Sequence, residues 1–83
     1  IMNLIISHPN NSDFVMSEIL DIISQYCSSI NLKRLSKEET SIESSLMIQL
    51  SSYDDLLQIE SSLSSKYPNI RINFLDNNGL FND

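Results

Sequence analysis

A single histidine, His8, and a single cysteine, Cys27, are the first residues to weigh for chemistry in this chain. His8 is the one residue suited to acid–base or nucleophilic work, because a neutral imidazole titrates near physiological pH. A catalytic histidine also needs an orienting partner and an oxyanion or metal site. No second histidine accompanies it, and Asp13 is the nearest carboxylate in sequence. The expectation is therefore a protein that is not an enzyme, with no catalytic residue and His8 exposed in a loop. Cys27 lies inside a helical pattern, where a free cysteine behaves as a small hydrophobe. One cysteine excludes an intramolecular disulfide, so nothing suggests secretion.

The carboxylates of Glu38-Glu39, Glu43 and Asp54-Asp55 are the remaining candidates for chemistry, as oxygen ligands of a divalent cation. None has the spacing of a calcium loop, and the two aspartates already serve as helix-start charges. No metal and no cofactor is expected. A net charge of -6 argues against nucleic-acid binding, which needs a basic footprint. Lys33, Arg34 and Lys37 nevertheless crowd into one segment, with Lys66 and Arg71 elsewhere. The plain reading is a sheet edge kept soluble by charge; a contact with an anion or lipid headgroup is the alternative.

These residues must be held by something, and hydrophobic periodicity says what. Met2, Leu4 and Ile6 alternate with Asn3, Ile5 and Ser7, as in a strand with one buried face. His8-Pro9-Asn10-Asn11-Ser12 reads as a loop, with Asn11 or Ser12 capping a helix over Asp13–Ser29. That helix carries a broad apolar stripe of Val15, Ile19, Ile22, Ile23, Tyr26 and Ile30. A strand at Asn31–Lys37 needs a bulge, because Leu35 is out of phase with Leu32. Glu38–Ser44 connects it to a strand at Ser45–Leu50, where Leu46, Ile48 and Leu50 alternate cleanly. A second helix spans Tyr53–Tyr67, started by Ser52 with Asp55 and stopped by Pro68; Leu56, Ile59, Leu63 and Tyr67 form its stripe, widened by Leu57. Ile70, Ile72 and Phe74 alternate in a last strand, Ile70–Leu75, after which Asn78-Gly79 can turn Leu80 and Phe81 back.

This order, β-α-β-β-α-β, predicts an α+β fold: a ferredoxin-like sandwich with a four-stranded antiparallel sheet, order 4-1-3-2, and two helices on one face. Eighty-three residues form a single domain, 1–83. The second sheet face then carries Asn3, Ile5, Ser7, Met47, Gln49, Arg71, Asn73 and Leu75. Ile5, Met47 and Leu75 make an apolar patch there, expected to meet a partner. No apolar run approaches the roughly 18 residues of a membrane span, so no membrane insertion by this segment and a cytoplasmic location are expected. Ile1 precedes Met2, so residue 1 is not a translation start. It is either a cloning remnant or, as expected here, the cut end of a domain taken from a longer protein.

The chemistry of related small folds is absent. The first loop lacks the cysteine pair of metallochaperones and the arginine of acylphosphatases. The outward positions of the central strands lack the aromatics of RNA-recognition modules, and four cysteines for a ferredoxin cluster are missing. Over nearly its whole length, from Met2–Ser7 to the turn Tyr67-Pro68-Asn69-Ile70-Arg71-Ile72, the chain resembles the ACT-like regulatory domains. Within that group it is similar to the small cytosolic C-terminal domain of the MgtC/SapB membrane proteins. The resemblance implies a non-catalytic regulatory or oligomerisation domain, possessing side-by-side or face-to-face dimers. It places any ligand near His8, Pro9, Asn10, Asn11 and Ser12, the basis of an alternative reading as a small-molecule or metal-ion sensor. Amino-acid-binding ACT domains usually have a glycine in that loop. Asn10-Asn11-Ser12 stands there instead, which shifts weight towards association with a second copy or the rest of the parent chain.

Overall fold

In the computed structural model, which describes residues 1–11 and 13–76, alternation and stripes assemble into β1 (Met2–Pro9), α1 (Met16–Ser24), β2 (Ser29–Lys37), β3 (Ser41–Gln49), α2 (Asp54–Lys66) and β4 (Arg71–Asp76). The strands form one antiparallel sheet in the order β2-β3-β1-β4, the expected order read from the other edge. This is the ferredoxin-like βαββαβ fold. Register fixes the faces. Leu4 lies between Leu46 and Phe74, and Ile6 between Ser44 and Ile72, so these residues share one face. Ile19 and Ile23 of α1 and Ile59 and Leu63 of α2 close over it, with Ile70, Ile72 and Phe74 packed at the margin. Leu4, Ile6, Leu46 and Ile48 are sealed from solvent beneath the helices. Each such side chain stabilises the fold by roughly 2 kcal/mol relative to exposure.

Several boundaries differ from the periodicity, each for a local reason. α1 begins at Met16, not Asp13. Asn11 turns the chain first: the Asp13 N–H donates to its Oδ1 at 2.9 Å and the Phe14 N–H to its carbonyl at 3.3 Å. Val15 is then an extended N-cap with no side-chain bond, so Asn11 does not cap the helix. Val15 is 42% exposed rather than part of the buried stripe. The other end stops at Ser24, because Ser28 already donates its N–H to Gln49 at 2.9 Å and draws the chain, Ile30 included, into β2.

β3 starts at Ser41, so the connection from β2 is only Glu38–Thr40, closed by the Glu38 N–H on the Ser41 carbonyl at 2.8 Å. Ladders on both sides of β3 outweigh its polar residues. The expected bulge is present between Leu32 and Arg34. At α2 only half the capping box forms: Asp55 accepts the Ser52 N–H at 3.3 Å, with no reciprocal side-chain bond from Ser52. Leu57 is exposed and does not widen the stripe. Ser12, the Asn78-Gly79 turn, Leu80 and Phe81 lie outside the described residues.

Candidate functional site

His8 is not in a loop. β1 runs on through Pro9, and His8, two residues beyond Ile6, lies on the helix-covered face, only 4% exposed. Its Nδ1 stands 2.9 Å from the Pro9 carbonyl. A carbonyl can only accept, so Nδ1 carries the proton and a neutral ring offers Nε2 as an acceptor. Nε2 is buried with no hydrogen-bond partner among the described residues. The Ser44 hydroxyl is in the same condition on β3. Ser44 is opposite Ile6, and His8 is opposite Ile42, so the two orphaned groups are diagonal neighbours on adjacent strands.

The His8 ring is one end of an aromatic row. It stacks on Phe14 with centroids 4.5 Å apart and planes within 7°, and Phe14 stacks on Tyr67 at 5.1 Å. The Tyr67 hydroxyl donates to Glu18 Oε2 at 2.9 Å, and Lys66 Nζ reaches the same oxygen at 3.3 Å. Lys66 also sits 5.6 Å above the Tyr67 ring. The hydroxyl bond and the ammonium hold the Glu18 carboxyl below its ordinary pKa. Burial, followed by the neighbouring carboxylate, pushes Tyr67 above its own. The row thus ties the end of β1 to both helices. The sequence marked Tyr67 as core, but gave no sign that Phe14, Glu18 and Lys66 would meet there.

Beside this row is an open hollow of about 570 Å³, lined by Ser7, His8, Pro9, Ser41, Asn69 and Arg71 among others. Of the four expected loop residues that the structure describes, it brings together two, His8 and Pro9. Asn10 and Asn11 are committed elsewhere. The Asn10 amide donates to the Glu38 carbonyl at 2.7 Å and its backbone N–H to Thr40 at 3.1 Å, clamping the loop onto the β2–β3 turn. Arg71 was not singled out for this place by the sequence. Among the described residues it is the cation of a hollow that no carboxylate lines.

His8 Nδ1 is bound to backbone, so no carboxylate orients the ring. Cys27 donates its thiol to the Ile23 carbonyl at 3.3 Å, and burial, then the charge of Asp55, push its pKa up, away from a reactive thiolate. On the opposite sheet face, Asn3 lies between Met47 and Leu75, and Ile5 between Ser45 and Asn73. Ile5, Met47 and Leu75 therefore share that face, with Leu75 51% exposed. No helix among the described residues is long and apolar enough to cross a membrane.

No family model matches this chain, and no curated protein matches it. Among solved structures it is similar to the ACT domain from GTP pyrophosphokinase of Chlorobium tepidum. The TM-score is 0.64 at 18% identity, covering 89% of this chain and 95% of that one. It is also similar to the de novo designed protein Foldit4, with a TM-score of 0.61 at 11% identity, covering 88% and 89%. The shared property at such identities is the fold, an ACT-like one. A designed protein matches it nearly as well, so the fold alone specifies no ligand.

Proposed function

We propose that residues 1–83 form a non-catalytic regulatory and oligomerisation domain of a larger protein, acting in the cytoplasm as a homodimer. The observation that carries this reading is the placement of both helices on one sheet face, leaving Ile5, Met47 and Leu75 together on the other. Leu75 is half exposed at its margin. A chain of this size buries little more than about 60% of its unfolded surface, so covering that face in a second copy would stabilise it appreciably. The parent envisaged is a regulated or membrane transport-related protein, in line with the resemblance to the MgtC/SapB C-terminal domain. Nucleic acid is not among the proposed partners. Sedimentation velocity of the 83-residue chain tests the reading. A dimer at micromolar concentration that Leu75→Glu converts to a folded monomer is expected. A monomeric wild type across that range would refute it.

A second reading, small-molecule sensing, is favoured by the hollow beside His8. Arg71 and the Ser7 and Ser41 hydroxyls offer donors there, a set suited to a small anion or carboxylate, and Glu43, across from Ser7, is outside the described lining. A thermal-shift screen with amino acids, nucleotides and divalent cations tests it by mass action. A shift with a carboxylate compound that Arg71→Ala abolishes is expected; no shift with any of them retires sensing.

A further inference from the structure

Among the described residues, β2 is bonded to a neighbour along one side only, since β3 is its sole partner in the sheet. Its other side presents a row of backbone N–H and C=O groups. Bare edges are commonly blunted by charge, and Lys33, Arg34 and Lys37 look at first like that device. Two further features do not fit simple blunting. Leu32 and Leu35, opposite buried Leu46 and Ser44, lie on the helix-bearing face yet are 45% and 53% exposed. The nine-residue α1 leaves them uncovered. The three cations also form no ion pair with any described residue, and Ser29–Lys37 contains no acid. Elsewhere the chain has two cations against eleven acids, so β2 is a basic stripe on an acidic molecule.

We propose that the free edge of β2 docks an extended, acidic segment of a partner protein, which adds as a further strand with alternating apolar residues beside Leu32 and Leu35. Main-chain bonds would supply affinity and the alternate side chains selectivity. Arg34, opposite Ser45, lies on the outer face, and Lys37, opposite Ile42, on the helix-bearing one. With apolar residues on the helix-bearing face, the alternating acids of the incoming strand fall on the outer face and meet Arg34. The bulge between Leu32 and Arg34 limits regular pairing to short stretches on each side of it.

A second copy fits this edge poorly. Antiparallel β2–β2 pairing would set the three cations against their own equivalents. The opposite edge, β4, carries one arginine and one aspartate, and so offers no complementary charge. The docking edge is distinct from the face proposed for the dimer, and either can fail alone.

The test is a titration of the isotope-labelled 83-residue chain with short synthetic peptides alternating valine with glutamate, lysine or serine, followed by backbone amide shifts. The glutamate peptide should move the amides of β2 saturably and bind about tenfold or more tighter than the serine one at low salt, an advantage that added salt erodes. Combined Lys33→Glu, Arg34→Glu and Lys37→Glu should transfer the preference to the lysine peptide; Leu35→Ser should weaken binding of both. Should the triple variant fail to fold, the salt dependence of the wild type decides. Equal binding of glutamate and serine peptides, shifts mapping away from β2, or β2–β2 contacts between copies of the free chain would overturn the proposal.

Discussion

Glu18, Tyr67 and Lys66 meet at one carboxylate oxygen, and the sign of the resulting pH dependence follows directly. A carboxyl held below its ordinary value near 4.5 adds stability that is fully present above that pH. The contribution fades as pH falls through the lower folded value, because the folded state then takes up a proton against those bonds. Tyr67→Phe removes the hydroxyl donor that is the largest single cause of this lowering, ahead of Lys66. Its acid-unfolding curve, followed by circular dichroism, should be flatter below pH 4.5, with less stability above it; a curve superimposable on wild type would contradict the role of Tyr67. Ser44 gives the opposite sign. Its hydroxyl is buried without a partner, so Ser44→Ala should be neutral or stabilising by up to about 1 kcal/mol in urea denaturation. A loss above about 1 kcal/mol would mean that the hydroxyl is in fact bonded. The burial of His8 was not legible in the sequence, because Pro9 signals a loop. In the sheet Pro9 faces Ser41 on one side, while pairing with β4 ends at Ser7 and Arg71. Its missing N–H therefore costs no ladder bond, and the strand continues past the point where proline would ordinarily end it.

At the scale of elements, existence and order were readable throughout, and so were the bulge in β2 and the buried faces of β1, β3 and α2. Periods of two and 3.6 report directly on which side chains are buried, so Leu46, Ile48, Ile59 and Leu63 were unambiguous. Ends were less readable, because pairing decides them. α1 lost five residues at its C-terminal end to the turn and strand that pair with β3, and β3 gained Ser41–Ser44 because strands flank it on both sides. Leu57 shows the limit of counting apolar residues: it extends the stripe on paper but points to solvent at 57% exposure, whereas Ile59 is fully enclosed. Ile59→Ala should therefore cost about 2–5 kcal/mol by urea denaturation, and Leu57→Ala no more than about 0.5 kcal/mol. Comparable losses at the two positions would mean that the face of α2 has been wrongly assigned.

At the scale of the whole molecule, the fold was legible and the task it serves was much less so. The order β-α-β-β-α-β with single-striped helices admits few solutions, and the ACT domain of the pyrophosphokinase shares the one adopted. Function has no comparable periodicity. Among the described residues of the expected ligand loop, only His8 and Pro9 reach the hollow, since Asn10 and Asn11 are spent on turns; nothing in the local sequence announces that a loop amide will be used to clamp a distant hairpin. Arg71, far along the chain, becomes their neighbour only through the β1–β4 ladder. The outer face is different. Its residues follow from strand alternation alone, which sets Ile5, Met47 and Leu75 on one face.

Both helices lie on one side of the sheet, and the other side is the one proposed to meet a second copy. Sedimentation velocity over rising micromolar concentration addresses that side directly. Wild type should run at twice the chain mass and Leu75→Glu at one, with the same circular dichroism. A wild-type chain that stays at single mass throughout would contradict it.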